Sequence, residues 1–130
     1  MGKNTFGIVK AVGLELPGVE AAIRYDGSTV LKADGVFVAG MASHGSAEPD
    51  SLVVRVDLEE RERLLEDAPG TYYITDYYSP YPLVLVRLSQ LNRDALHDLL
   101  SVSRRLALEK TRRRRQEGRD RQEGRDRQEG

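Results

Sequence analysis

Phe6, Val9, Val12 and Leu16 recur every three or four residues, the period of a helix that buries one stripe. Asn4 or Thr5 can cap its start and Pro17-Gly18 ends it. Gly7 and Gly13 weaken this helix by roughly 1 kcal/mol each relative to alanine, so it must rely on packing. The pattern then shortens. Ala21–Tyr25, Thr29–Ala33 and Val36–Ala39 are apolar runs separated by Asp26-Gly27 and Asp34-Gly35. Asp-Gly between apolar runs predicts hairpins, because a tight turn needs positive φ at its central residues. Residues 40–50 form a loop of small residues, and Leu52–Val56 predicts a fourth strand.

From Leu58 to Asp67 the period is helical again, with Leu58, Leu64, Leu65 and Ala68 on one face and four glutamates on the other. Asp57 is placed to cap this helix and Pro69-Gly70 to stop it. Thr71–Tyr77 and Leu83–Leu88 predict two further strands around a Pro-rich turn. The unbroken run Leu83-Val84-Leu85-Val86 suits a central strand covered on both faces. The last helix starts at the cap Asn92, with Leu91 stapling onto Leu96. Leu96, Leu99, Leu100, Ser103 and Leu106 face inward, and the pattern fades near Glu109. The order predicts an α+β fold: an antiparallel sheet of about five to six strands packed with three helices.

Charge divides the chain in two. Through Thr111 there are 12 Lys/Arg against 16 Asp/Glu, a net of −4; from Arg112 onward 8 Arg face 5 Asp/Glu, a net of +3. Residues 1–110 therefore read as one acidic domain and 111–130 as a basic tail. That tail carries the repeat Gln-Glu-Gly-Arg-Asp-Arg from Gln116 and again from Gln122, with no apolar residue. Nothing in it offsets the entropy of ordering, so it is expected to be disordered. Glu117 and Arg121, four apart, support only transient helix.

The chain has no cysteine, which excludes disulfides, thiolate nucleophiles and zinc-thiolate sites, and suits a reducing cytoplasm. No apolar run approaches the ~20 residues needed to span a bilayer. Gly2 lacks the downstream Ser or Thr of a myristoylation signal, since Phe6 stands there. A soluble, cytoplasmic protein without a membrane partner is expected. Catalytic constellations do not assemble. His44 sits beside Ser43 and Ser46, but neighbours in a Gly-rich loop do not make a preorganised triad. His97 has no second ligand at a metal spacing, and no Gly-rich phosphate loop is present. Neither a metal, a cofactor nor an enzyme activity is expected.

Two features could bind a partner. Arg104, Arg105, Lys110, Arg112, Arg113, Arg114 and Arg115 form a dense positive block of the kind phosphate binding requires. The plainer alternatives are a pair of cations at a helix C-terminus and a solvated tail. Five of six tyrosines crowd into one segment, of which Tyr77, Tyr78 and Tyr81, beside the Pro-rich turn, are the candidates for a ligand-facing surface. Alternation places Tyr73 and Tyr77 on one face and Tyr72 and Tyr78 on the other, and tyrosine in a strand is more often simply packed.

The segments LELPGVEAAIRY (Leu14–Tyr25), SLVVRVDLEERERLLED (Ser51–Asp67) and TYYITDYYSPYPLVLVRLSQL (Thr71–Leu91) resemble the MmcQ/YjbR family of small bacterial proteins. The resemblance spans about Thr5 to Leu108 in matching order. It implies an α+β fold like that of the bacterial frataxin homologue CyaY, and carries the family label of DNA binding, an analogy of fold and not a mechanism. The chain departs from the pattern at Gly7-Ile8, where acidic residues are usual, at Val102-Ser103, where an aromatic commonly precedes the arginine, and in a longer loop over 40–50. The expected function is non-enzymatic binding with weak electrostatic capture of DNA by the Arg104–Arg115 region. The alternative is a protein-interaction or small-ligand module using the tyrosine surface, with a solubilising tail.

Overall fold

The computed structural model describes residues 5–129, with side chains to residue 119. In chain order the elements are α1 (Phe6–Leu14), β1 (Val19–Ile23), β2 (Thr29–Ala33), β3 (Val36–Met41), β4 (Ser51–Arg55), α2 (Leu58–Asp67), β5 (Tyr72–Tyr73), β6 (Leu83–Arg87) and α3 (Arg93–Glu129). The strands form one antiparallel sheet in the order β1-β2-β3-β4-β6-β5. The α+β architecture predicted from the hydrophobic pattern is the one observed. Among the described residues no helix is long and apolar enough to cross a membrane.

The turns follow their local chemistry. Asp34 and Gly35 both take positive φ, 52° and 77°, closing β2 onto β3 as a tight two-residue turn. The Asp26-Gly27 pair behaves differently. Only Gly27 has positive φ, and the loop closes one residue wider through Arg24 N–H to Ser28 C=O at 2.8 Å. This ends β1 at Ile23, two residues short of the predicted strand end.

α1 and α3 cover one face of the sheet. Val9, Val12, Leu31, Val38, Leu52, Val54, Val84, Leu96 and Leu100 are fully buried between them. Ser103 also points into this core and donates to the Val38 carbonyl at 3.0 Å. The predicted caps of the later helices are present: Asp57 accepts from Glu60 N–H at 2.7 Å and Asn92 from Ala95 N–H at 2.8 Å. Thr5 precedes α1 without a side-chain cap bond, and the other candidate, Asn4, lies outside the described residues. Leu64, Leu65 and Ala68 anchor α2, whereas Leu58 is exposed at the first turn, where α2 has not yet reached the sheet.

The opposite face is covered only in part. Val53, Leu85 and Tyr78 form a second, smaller cluster with Phe37, Ala47, Tyr73 and Ile74 packed against it. β6 is thus buried on both faces and paired on both edges, as its unbroken apolar run predicts. The strand predicted over Thr71–Tyr77 is only two residues long. From Thr75 the chain curls into turns, with Tyr78 and Ser79 N–H both bonding the Thr75 carbonyl. Two prolines follow in that segment, and proline cannot donate to a sheet ladder.

α3 does not stop near Glu109. Its backbone continues helical to Glu129 through the stretch whose composition predicts disorder. Beyond Ala107 no described residue is buried, so that stretch has no packing to order it. The packed segment up to Ala107, the last buried residue, has already met the unfavourable nucleation step, so each further residue only propagates a helix.

Candidate functional site

Helical periodicity splits the cationic block of α3 into two faces. Lys110, Arg113 and Arg114, spaced three and four apart, share one; Arg104, Arg105 and Arg112 share another. The second group borders a shallow groove of about 250 Å³ with Leu108 and Glu109. Arg104 is committed there to the backbone, donating from Nε to the Pro17 carbonyl. Arg105 lies 4.0 Å from Glu109. Arg115 reaches the Asp34 carboxylate at 3.4 Å, touching the β2–β3 turn. The seven predicted residues therefore do not form one surface.

The first face borders a cleft of about 350 Å³ where α3 passes the end of β4. Here Lys110, Arg113 and Arg114 meet Arg55 across an apolar floor that includes Pro82 and Leu106. Arg55 is half-buried, and its Nε donates to the Phe37 carbonyl at 2.6 Å. No other hydrogen bond or ion pair engages its guanidinium among the described residues. Lys110, Arg113 and Arg114 likewise form no ion pair among the described residues. Of the acidic residues on the rim, Glu109 turns to Arg105 and Asp57 caps α2, leaving Glu117. The crowding shows in the ionisation: Arg55, then partial burial and Arg114, hold the Lys110 ammonium below its ordinary pKa. Burial, and then Arg114, do the same to Arg55.

Arg55 was not legible as a site residue. It is a single cation between Val54 and Val56, and only the fold brings it to a stretch of α3 more than fifty residues away. Strand alternation was the one available signal, since it turns Arg55 away from the main core with its partner Leu83.

The tyrosines serve chiefly to fasten the loop over 42–50. Tyr73 hydroxyl accepts from Glu48 N–H at 2.8 Å, Tyr78 hydroxyl accepts from His44 N–H at 3.2 Å, and the Tyr77 ring stacks on His44 with centroids 3.5 Å apart. Arg87 lies over the Tyr73 ring and pairs with Glu48 at 2.6 Å, holding the Glu48 carboxyl below its usual range. Tyr78, predicted to face a ligand, is only 6% exposed and joins the second cluster on the same side of the sheet as Tyr73. The predicted alternation fails there because β5 ends at Tyr73 and the chain curls into turns from Thr75. Tyr77 and Tyr81 remain half-exposed, and Tyr77 borders a shallow groove of about 290 Å³ with Arg24, Tyr25 and Phe37.

His44 Nδ1 lies 2.8 Å from Ser46 Oγ, which in turn lies 2.9 Å from Thr75 Oγ1. Ser46 N–H also donates to that nitrogen at 3.0 Å. These contacts close a local turn. Among the described residues no group of three His, Asp or Glu side chains is placed to hold a metal ion.

Fold and surface together define a small antiparallel α+β protein with helices on one face and a basic cleft at the end of the sheet. No family model and no curated protein matches the chain. The solved structure of protein DR2400 from Deinococcus radiodurans, a DUF419 domain, is similar to it. The TM-score is 0.61 at 22% identity, over 79% of this chain and 78% of that one. At that identity the likeness is one of fold.

Proposed function

We propose that this chain is a non-enzymatic, cytoplasmic binding protein of the MmcQ/YjbR type that captures DNA weakly through the basic half of α3. One observation carries the reading: Arg112, Arg113 and Arg114 stand exposed, without ion pairs among the described residues, where the helix leaves an otherwise acidic domain. The resemblance of the Leu14–Tyr25, Ser51–Asp67 and Thr71–Leu91 segments to that family supports it, as does a DUF419 neighbour of the same fold. Binding of this kind releases counterions from the duplex, reads few bases and weakens steeply with salt.

The test is duplex affinity of the full chain across a salt series, beside a variant with Arg112, Arg113, Arg114 and Arg115 all changed to Gln. Engagement of four phosphates gives a log–log slope of about −3.6. The variant should lose most of that slope and most of the affinity. Equal slopes for the two proteins would overturn the reading. The half-exposed Tyr77 and Tyr81 favour a second reading, a protein-interaction or small-ligand surface with α3 as a solubilising extension. It gains if neither protein binds duplex.

A further inference from the structure

We infer that the cleft between Arg55 and the Lys110–Arg114 face of α3 is a discrete site for one phosphate group carried on an organic ester. The inference deepens the proposed function, resting on that reading only for the identity of the carrier.

The site is two-sided. One wall is a sheet residue and the other the helix face that begins at Lys110, close to buried Ala107, so Arg55 and Lys110 are placed relative to each other by the fold. Arg55 is preorganised. Its Nε bond to the Phe37 carbonyl sets the plane of the guanidinium and leaves the two terminal nitrogens, the fork that pairs with two phosphate oxygens, without a protein acceptor among the described residues. Lys110 stands opposite as a compact point charge, with Arg114 beside it.

Like charges gathered this closely disfavour one another unless an anion joins them. Four cations line the cleft against three carboxylates, of which Glu109 turns to Arg105, so the cleft keeps a net positive charge. The floor decides the class of ligand. Pro82 and Leu106 offer apolar surface to whatever the phosphate is attached to, and the volume of about 350 Å³ exceeds what a bare anion needs. A sugar-phosphate unit of a nucleic-acid backbone satisfies both halves.

The experiment titrates the full chain with sodium phosphate, and separately with the dinucleotide pTpT, against sodium chloride at matched ionic strength. Backbone amide NMR shifts provide the readout. Saturable shifts confined to residues 54–57 and 106–114 are expected with phosphate and absent with chloride. Lys110→Gln and Arg55→Lys should each weaken this response about tenfold or more, as loss of a charge-assisted contact implies. Lys10→Gln, an exposed cation on α1, should leave it within twofold.

Lys110 and Lys10 lie on helices outside the sheet, so these two variants remain informative if Arg55→Lys disturbs the sheet. Tighter binding of pTpT than of phosphate supports the ester, and equal binding overturns the ester while leaving the phosphate. Shifts that match chloride, or that Lys10→Gln weakens as much as Lys110→Gln does, overturn the site. Duplex binding through Arg112–Arg115 with no phosphate response at Lys110 would sink this inference alone. A saturable phosphate response without duplex affinity would sink the DNA reading alone.

Discussion

Two glycines of α1 look equivalent in the sequence and differ in their surroundings. At Gly7 an added Cβ would meet only Thr5 Oγ1 at 3.4 Å; at Gly13 it would collide with Leu31 Cδ1, a side chain with no exposed surface. Gly7→Ala should therefore gain most of the helix-propensity difference, about 1 kcal/mol. Gly13→Ala gains the same term but overpacks the core at a cost of about 1–3 kcal/mol, so it should be neutral or destabilising. Denaturant midpoints of the two variants check this. If Gly13→Ala stabilised as much as Gly7→Ala, the close packing of α1 on β2 would be wrong.

A second residue-scale consequence concerns acid. Arg87 holds the Glu48 carboxyl below its ordinary pKa, so the folded chain binds that proton less readily than the unfolded chain. A depressed carboxylate contributes stability above the unfolded value, about 4.3 for glutamate, and loses it as pH falls through the folded value. Shifts of the amides over 44–50 should titrate with a midpoint below 4.3, and Glu48→Gln should remove that transition. Titration at or above the unfolded value would mean that Arg87 does not clamp the loop in solution.

Among the elements, α3 is the one whose two halves obey different physics. Up to Ala107 it is held by burial of Leu96, Leu99, Leu100 and Ser103; beyond Thr111 it has no apolar residue to bury. Propagation alone sustains the outer half, and Gly118 and Gly124 each oppose it by about 1 kcal/mol. Amide exchange should be slow through about residue 107 and fast beyond residue 115. Equal protection along the whole helix would show that the outer half is packed or partnered.

The same contrast explains what could be read from the sequence. The caps at Asp57 and Asn92, the Asp34-Gly35 turn, the inward face of α3 and the two-sided burial of β6 are set by neighbours within a few residues. Such features are written in local periodicity. The short β5 was misjudged because tyrosine and threonine favour strands wherever they occur, while the turn after Tyr73 depends on covering the second cluster. Arg55 was missed for a related reason: its meaning lies in the approach of β4 to α3.

For the molecule as a whole, charge is segregated more finely than the sequence suggests. The basic run is partly neutralised where it lies on the domain, at Asp34 and at Glu109, while Lys110 and Arg112–Arg114 form no ion pair among the described residues. An acidic domain behind this basic edge should orient an approaching polyanion and limit its affinity, which accords with weak, salt-sensitive capture.

The fastening of the 42–50 loop by aromatic rings has an optical corollary. The chain has six tyrosines and no tryptophan, so nothing masks phenol emission. Tyr73, Tyr77 and Tyr78 all sit in that fastening, and exposed Tyr25 borders the same groove as Tyr77 and Tyr78. Native fluorescence therefore reports mainly on one patch of the protein. A ligand that changes the emission without moving the amides of residues 106–114 has landed on the rings and not among the arginines.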